Sequence, residues 1–199
     1  MSYFFENFPK VNYDIDKTNK FSEIPNILLR YRFRDFPIYR DKTLVFYEHN
    51  VEEGQRPDII AGKYYGNATL SWIILLTNDI LDPYYDWPLD YQDFKNYIRE
   101  KYRYAGSLEN KGGVEWAQSN IHHYEWVYQQ QSVQFDNSII EKKFYIIDEA
   151  TYNSKLPSER RSVSYYTYEQ ELNDNKRKIK ILKKEFVPRI LKEAETILR

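Results

Sequence analysis

The chain has 199 residues, a length that allows one core of roughly 100 to 150 residues plus an extension. Its 29 basic and 30 acidic residues nearly cancel, which excludes a general electrostatic attraction to nucleic acid or to an acidic membrane. Cysteine is absent, so disulfides, thiolate catalysis and cysteine-ligated zinc are excluded as well.

Tyrosine is unusually frequent, with 20 residues, and aromatic side chains make up 18% of the chain. A tyrosine ring with a polar tip suits a surface that another protein covers, because it brings a large contact area with few rotatable bonds. The same rings can also fill a small core. The composition therefore leaves two interpretations open, an adhesive surface and a tyrosine-packed interior, and they are not exclusive.

Residues 1–43 are expected to form an extended N-terminal arm with one short helix. Phe4 and Phe5 lie in a stretch without sustained periodicity, whereas Ile24–Tyr31 has helical spacing. Glu6 interrupts the apolar start before a signal-peptide core can form, and no apolar run approaches the roughly 18 residues that a membrane span requires. We therefore expect a soluble protein without a membrane segment.

A predicted strand, Leu44–His49, precedes two predicted short helices. Gly66 ends the first helix, because a residue without a Cβ can adopt the left-handed conformation of a C-terminal cap. Asn67 or Thr69 then caps the second helix, Leu70–Asn78, by accepting a hydrogen bond from a backbone N–H. The chain thus turns sharply at the Gly-Asn pair.

The two helices are predicted to share one apolar seam. The residues at helical spacing that form it are Ile59, Ile60, Tyr64, Trp72, Leu75 and Leu76. An aromatic loop follows, in which Asp82 and Pro83 begin a turn, since an aspartate side chain can bond its own backbone. We expect Tyr84, Tyr85 and Trp87 to be exposed in this loop.

The middle of the chain combines a helix with strands. A third helix is predicted over Asp90–Tyr102, with Asp90 as its cap. Residues 105–120 contain three glycines among polar residues, which indicates a turn or a mobile loop. Strands are predicted at Ile121–Tyr128 and Lys143–Ile147. One face of the first of these strands carries His123, Glu125 and Val127.

Residues 161–199 are expected to form a C-terminal helical arm. The helical pattern begins at Val163, whereas Ile179–Leu182 either continue the helix or form one short strand. A final helix contains Pro188 in its first turn, where proline is tolerated. From Lys155 to Arg199 there are 12 basic and 7 acidic residues, so this part of the chain suits an acidic partner surface.

The sequence contains only weak signals for a metal site or a catalytic site. His122 and His123 are adjacent, so on a strand they would point to opposite faces, and zinc needs about four converging ligands. Asp79, Asp82 and Asp86 lack the spacing of a calcium loop and are better explained by capping and turn formation. No nucleophile elbow or glycine-rich phosphate loop occurs. We therefore expect no enzyme activity, no metal, no cofactor and no nucleic-acid binding.

Two segments carry a family resemblance. Residues 56–88 read RPDIIAGKYYGNATLSWIILLTNDILDPYYDWP, and residues 168–186 read YEQELNDNKRKIKILKKEF. Together they resemble the baseplate wedge subunits of contractile-tailed, T4-type bacteriophages. The helical pair with its preceding strand, over residues 44–89, is also similar to the LysM module. The positions that match the wedge pattern are Gly66, Asn67, Trp72, Asn78, Asp82 and Pro83.

The resemblance implies an α+β fold in four parts. These are an N-terminal arm with a short helix at 1–43, a LysM-like βααβ core with its following helix at 44–104, a loop and β-rich segment at 105–160, and a C-terminal helical arm at 161–199. The implied protein is a structural subunit of the virion tail, assembled in the host cytoplasm, which joins wedge subunits and neighbouring wedges of a six-fold baseplate.

The expected contact residues follow from exposed aromatic character and position in the family. They are Phe4, Phe5, Tyr84, Tyr85, Trp87, Arg177 and Lys178. The alternative function is that of a LysM-type module that binds peptidoglycan or chitin, with aromatic residues of the loop stacked on sugar rings. Both functions need an accessible aromatic loop, and they differ in whether a protein or a glycan covers it.

Overall fold

The computed structural model describes residues 8–28, 45–129, 132–133, 139–140 and 142–198. The strands are β1 (Lys10–Tyr13), β2 (Ser22–Pro25), β3 (Phe46–Asn50), β4 (Ile121–Gln129), β5 (Ser132–Val133), β6 (Ile139–Ile140), β7 (Lys143–Ile147), β8 (Arg160–Ser164) and β9 (Lys178–Leu182). The helices are α1 (Pro57–Tyr65), α2 (Ser71–Thr77), α3 (Tyr91–Lys101), α4 (Arg103–Leu108), α5 (Gly113–Ser119), α6 (Glu149–Ser154), α7 (Tyr165–Asn175) and α8 (Val187–Leu198). The predicted α+β class is confirmed.

The contacts group the chain into two compact units. One contains the described residues of Met1–Pro88 and Lys176–Arg199, and the other contains those of Leu89–Asn175. This grouping differs from the four predicted parts, because the C-terminal segment belongs to the same unit as the two short helices. No helix in the described ranges combines the length and the apolar character needed to cross a lipid bilayer.

The described part of the N-terminal region is a hairpin. Strands β1 and β2 pair antiparallel, with Val11 opposite Ile24. The helix predicted to begin at Ile24 is wrong at its start, because Ile24 and Pro25 lie in β2. The end of that predicted helix, together with Phe4 and Phe5, lies outside the described residues.

The sheet of the first unit joins two strands that are distant in sequence. Strand β3 pairs antiparallel with β9, with Phe46 opposite Leu182. The two interpretations left open for residues 179–182 are thereby decided in favour of a strand. Ile179 and Ile181 are buried whereas Lys178 is exposed, the alternation expected of a half-buried strand. The element order β3, α1, α2, β9 is thus completed by a strand that lies outside residues 44–89.

The corner between the first two helices forms as predicted. Gly66 has φ of 78° and its N–H donates to the carbonyl of Gly62 at 3.0 Å, so it closes α1 in the left-handed conformation. The Asn67 side chain accepts a hydrogen bond from the N–H of Thr69 at 3.0 Å. A 3-10 turn then precedes α2, which begins at Ser71.

The interior of the first unit is almost entirely apolar. Ile73 and Ile74 on α2 have no exposed surface, and Trp72 is buried beside them. Helix α8 packs into the same interior through its apolar face. One cluster contains Phe46, Leu70, Trp72, Ile73, Leu182, Val187, Ile190 and Ala194, and a second contains Val51, Ile60, Ala61, Ile74, Trp87, Ile179 and Ile181. The predicted seam is wrong at Ile59, which is 39% exposed.

The second unit is built on a three-stranded antiparallel sheet in the order β7, β4, β8. The central strand confirms the strand predicted at residues 121–128, and β7 confirms the one at residues 143–147. Val163 on β8 is fully buried. The helix predicted to begin there starts later, at Tyr165, and the Ser164 hydroxyl accepts from the N–H of Thr167 at 3.1 Å at its start.

The loop predicted at residues 105–120 is wrong, because helices α4 and α5 occupy most of it. A Cβ on Gly106 would lie 2.6 Å from the carbonyl oxygen of Lys111, and one on Gly113 would clash with the carbonyl oxygen of Arg99. These glycines therefore permit close backbone approach instead of ending structure. A small core forms around them, with Phe94, Ile98 and Ala117 buried.

Candidate protein-interaction surface

The aromatic loop after α2 is held in shape by its own hydrogen bonds. The Asp82 carboxylate accepts from the N–H of Tyr84 at 2.9 Å, which confirms the predicted aspartate turn. The Asp86 carboxylate accepts from the N–H groups of Leu81 and Asp82 at 3.2 and 3.0 Å. The N–H of Asp86 in turn donates to the carbonyl of Asp82 at 2.8 Å. The backbone of residues 81–86 is thus fixed locally.

This fixed turn exposes large side chains. Tyr84 is 84% exposed, Leu81 is 74% exposed and Tyr85 is 68% exposed. Trp87 differs from them, because it is buried and its indole N–H donates to the carbonyl of Gln55 at 2.8 Å. Trp87 is therefore a core residue, and its predicted exposure is wrong. Leu81 was not predicted from the sequence, where its position beside the turn was the one available signal.

Basic residues next to β9 hold this region together. The Lys176 ammonium donates to the carbonyl of Tyr85 and thereby ties the loop to the start of the strand. The Arg177 guanidinium donates to the carbonyl of Val51 at 3.2 Å and to the Glu53 carboxylate at 2.8 Å. Arg177, expected as a contact residue, is thus engaged within the unit. Lys178 is exposed.

Asn78 connects the end of α2 to the strand. Its side-chain amide donates to the carbonyls of Ile74 and Lys180, both at 2.8 Å, and its side-chain oxygen accepts from the N–H of Lys180 at 2.8 Å. The amide thus bonds both backbone groups of Lys180, as a neighbouring strand would. The sequence marked Asn78 only through the family pattern, since its partner lies about 100 positions away.

An open cleft of about 470 Å³ lies beside the loop and along β9. Its lining residues are Thr77, Asn78, Asp79, Ile80, Asp86, Lys176, Lys178, Ile179 and Lys180. The lining mixes three lysines and two aspartates with apolar atoms, as the rim of a protein interface does. Among the described residues, no group of three or more histidine or acidic side chains is arranged to hold a metal ion.

Comparison with known proteins identifies the family. The profile of the family described as Base plate wedge protein 53 matches residues 3–195. The chain belongs to this family. Baseplate wedge protein gp53 of Enterobacteria phage T4 is 30% identical over 105 residues, which cover 51% of this chain and 53% of that protein. The matched part of the chain therefore spans about half the length of this curated relative.

Two buried carboxylates in the second unit of this family member were not singled out from the sequence. Glu125 has no exposed surface and accepts from the Lys142 ammonium at 2.8 Å. Glu169 is also buried and accepts from the Lys101 ammonium at 2.7 Å and the Tyr102 hydroxyl at 2.8 Å. The sequence contained one signal for the burial of Glu125. It shares a strand face with residues 123 and 127, and this face turns inward.

The Glu169 cluster shifts the ionisation of its neighbours. Burial raises the pKa of the Tyr102 hydroxyl, and the hydrogen bond to the Glu169 carboxylate raises it further. Burial alone would lower the pKa of Lys101, but the hydrogen bonds and charge of Glu169 and Tyr97 outweigh it and raise that pKa. Tyr102 is therefore held as a neutral donor and Lys101 as a cation, which suits a structural role.

The histidine pair differs from its prediction. A register shift in β4 between Ile121 and His123 disturbs the alternation, so that the Nδ1 atoms of His122 and His123 lie 2.7 Å apart. The expectation that the two rings point to opposite faces is therefore wrong. The His122 ring stacks on Tyr168 with centroids 4.0 Å apart. Burial, and then the charge of His123, lowers the pKa of His122.

Proposed function

We propose that the chain is a structural subunit of the phage tail baseplate wedge that joins wedge subunits and neighbouring wedges through protein–protein contacts. It acts in the virion as part of a six-fold assembly and meets its partners in the host cytoplasm. The proposal requires no catalysis, cofactor or metal. Membership of the wedge family over residues 3–195 is the observation that carries it.

The exposed turn at residues 81–86 supports an adhesive mechanism. Tyr84 and Tyr85 present large rings on a backbone that is already fixed by the Asp82 and Asp86 carboxylates. A fixed loop loses little conformational entropy when a partner covers it, so more of the contact energy remains as affinity. Exposed tyrosines on such loops are frequent hot spots of protein interfaces.

We further propose that β3, α1, α2 and β9 form a LysM-like βααβ core that carries this turn. In this view the second unit is an insertion between α2 and the closing strand. Gly66, Asn67 and Trp72 shape the helical pair, Asn78 joins it to β9, and Asp82 with Pro83 starts the turn. The order of these elements and the hydrogen bonds of these residues support the assignment.

The test is a double substitution, Tyr84→Ser with Tyr85→Ser. The variant gene is supplied to a phage that lacks a functional copy of it. We expect the variant chain to fold normally and the yield of complete baseplates to fall strongly, because the turn keeps its hydrogen bonds but loses its rings. Free wedge proteins should accumulate and can be measured by sedimentation and negative-stain electron microscopy. A normal yield of baseplates would contradict the proposed role of the turn.

A matched control separates this effect from the loss of any exposed ring. Tyr91 and Tyr104, in the second unit, are also exposed, so Tyr91→Ser with Tyr104→Ser removes a similar area elsewhere. The control variant should assemble normally. Equal loss of assembly in both variants would show that assembly depends on exposed tyrosines in general and not on those of the turn.

The second candidate function, glycan binding, rests on the same exposed pair of rings. Tyr84 and Tyr85 are accessible for stacking on sugars, whereas Trp87 is buried and is not available. A pull-down of the full chain on peptidoglycan and on chitin discriminates the two functions. Saturable binding that the Tyr84→Ser, Tyr85→Ser variant loses would favour the glycan module, and the absence of retention would favour the wedge subunit.

A further inference from the structure

Among the described strands, β7 lies at an edge of the three-stranded sheet in the second unit. Within the described part of the chain, β4 is the one strand that pairs with it. Its central side chains are exposed, with Tyr145 at 59% and Ile146 at 69%. An apolar edge strand is a site at which another strand can add to a sheet, and proteins usually cover or charge such edges.

Hydrogen-bond directions identify the outward backbone groups. The N–H of Val127 on β4 donates to the carbonyl of Glu159 at 2.6 Å, so the backbone groups of Val127 face the β8 side. Alternate residues of a strand face alternate sides, so Trp126 faces β7 and pairs with Tyr145. The N–H and C=O groups of Phe144 and Ile146 therefore point to the open edge. No described strand pairs with them there.

The charges that flank β7 are complementary to those of its own antiparallel copy. Residues 142–149 read KKFYIIDE, with two basic residues, four apolar residues and two acidic residues in sequence. In an antiparallel copy Lys142, which also binds Glu125 within its own chain, comes opposite the partner's Asp148, whereas an in-register parallel copy places each lysine opposite the same lysine. Opposite charges across a strand pair stabilise it, and like charges destabilise it. The pattern thus selects an antiparallel second copy.

We propose that the free protein pairs with a second copy of itself through antiparallel β7 strands. In the register that satisfies the outward groups, Phe144 lies opposite the partner's Ile146, Lys142 opposite the partner's Asp148 and Tyr145 opposite the partner's Tyr145. Two three-stranded sheets become one six-stranded sheet, and the exposed apolar edge disappears. The inference does not rest on the proposed function in the baseplate.

Aromatic side chains extend the complementarity. Tyr145 stacks on Tyr128 and Trp126 within each copy, with ring centroids 5.0 and 6.0 Å apart. The two-fold axis passes beside Tyr145, so the two ring stacks meet across it. Aromatic cross-strand pairs stabilise strand pairing, which favours this register over one displaced by two residues.

Disulfide trapping tests the register directly, because the natural chain has no cysteine. In the proposed pair Tyr145 occupies a non-hydrogen-bonded position, where opposed Cα atoms lie about 4.5 Å apart. That distance lies within the range that a disulfide spans. We expect Tyr145→Cys to form a covalent dimer under mild oxidation, seen on non-reducing gels.

The control is Ile147→Cys, on the same strand. In the proposed register residue 147 lies opposite the partner's Lys143, so this variant should form little covalent dimer under the same oxidation. Combining Lys143→Cys with Ile147→Cys should restore the covalent dimer. Equal cross-linking by the two single variants, or none by Tyr145→Cys, would overturn the proposal.

Analytical ultracentrifugation tests the pairing without a cross-link. The wild-type chain should sediment as a concentration-dependent dimer. Ile146→Pro removes an outward N–H and leaves the hydrogen bonds between β7 and β4 intact, so it should be a folded monomer at the same concentration. Ile146→Val keeps the N–H and should remain dimeric. A monomeric wild-type chain, or an Ile146→Pro variant that still dimerises with an unchanged circular dichroism spectrum, would overturn the proposal.

Discussion

The two units bury different chemistry. The interior of the first unit consists of aliphatic and aromatic side chains, and its buried hydroxyl, on Thr77, donates to the carbonyl of Ile73 within the same helix. The second unit instead buries the carboxylates of Glu125 and Glu169. An apolar interior is stabilised by burial and shape, whereas a buried carboxylate needs each of its partners in place.

The arrangement around Glu125 shows how completely the second unit compensates a buried charge. Lys142 lies 2.8 Å from the carboxylate, His123 lies 3.4 Å away and Arg161 lies 3.6 Å away. Removing one partner of a buried ion cluster leaves charge without compensation, and this costs more than the cluster contributes as a whole. The comparison predicts that shape changes are most harmful in the first unit and that polar changes are most harmful in the second.

The largest expected effect is that of a cavity in the apolar interior. Ile74→Ala should lower the free energy of unfolding of the first unit by about 2 to 5 kcal/mol, because the side chain is fully buried. Denaturant titration combined with hydrogen exchange assigns the loss to that unit. Ile59→Ala, at an exposed position of α1, is the control and should cost far less. Similar losses in both variants would contradict the description of this core.

Removal of a single hydroxyl group tests how much the Glu169 cluster stabilises the second unit. Tyr102→Phe should lower the unfolding free energy of that unit by about 1.5 to 3 kcal/mol, the usual value for a hydrogen bond to a charged group. The lost bond is the one to Glu169 at 2.8 Å. Tyr104→Phe is the matched control, since Tyr104 is exposed. If the two variants are equally stable, the Glu169 cluster does not stabilise the unit as proposed.

A backbone change at the corner between α1 and α2 should cost less. Gly66→Val should destabilise the first unit by about 1 to 2 kcal/mol, because a side chain at positive φ is strained. An added Cβ meets no atom within 4 Å, so the cost comes from the backbone alone. Gly66→Asn should cost less, since asparagine tolerates this conformation. Thermal unfolding of the three chains checks the order, and an Asn variant less stable than the Val variant would contradict it.

The smallest expected effect depends on pH. Burial and the charge of His123 lower the pKa of His122 in the folded chain. At pH values below the ordinary histidine pKa, the unfolded chain therefore binds the proton more readily than the folded chain does. This contribution to stability is present above about pH 6.5 and is lost as the pH falls toward the lowered pKa. Nearby Glu169 opposes the shift and Lys101 reinforces it.

His122→Phe keeps a ring against Tyr168 but removes the titrating group. Its unfolding free energy should therefore fall less than that of the wild-type chain between pH 7.5 and pH 5.5. Urea titrations at the two pH values measure the difference. Equal pH dependence in the two chains would show that His122 does not contribute to it.

Local signals predicted the first two helices well. Gly66 and Asn67 act on residues within a few positions of themselves, so their roles as cap and corner could be inferred without the fold. The turn at Asp82 is local in the same sense. Glycine in the 105–120 segment misled the prediction, because Gly106 and Gly113 are required by close contact between backbones and not by a turn.

Distant partners could not be inferred in the same way. The role of Asn78 depends on its hydrogen bonds to Lys180. Trp87 is buried because it packs in a cluster with Ile179 and Ile181 of β9. The exposure expected of Trp87 was wrong for this reason. Strand β9 could not be distinguished from a helix until its pairing with β3 was known, since a short apolar run satisfies both patterns.

The sequence by itself determined the α+β class, the helical pair with its glycine corner and the aspartate turn, because each depends on hydrogen bonds and dihedral preferences within a few residues. The tertiary structure alone decided that the β3–β9 sheet is closed by a strand from residues 178–182. It also decided which aromatic rings are exposed and which carboxylates are buried. These features depend on contacts between segments that are far apart in the chain, and a local pattern does not contain that information.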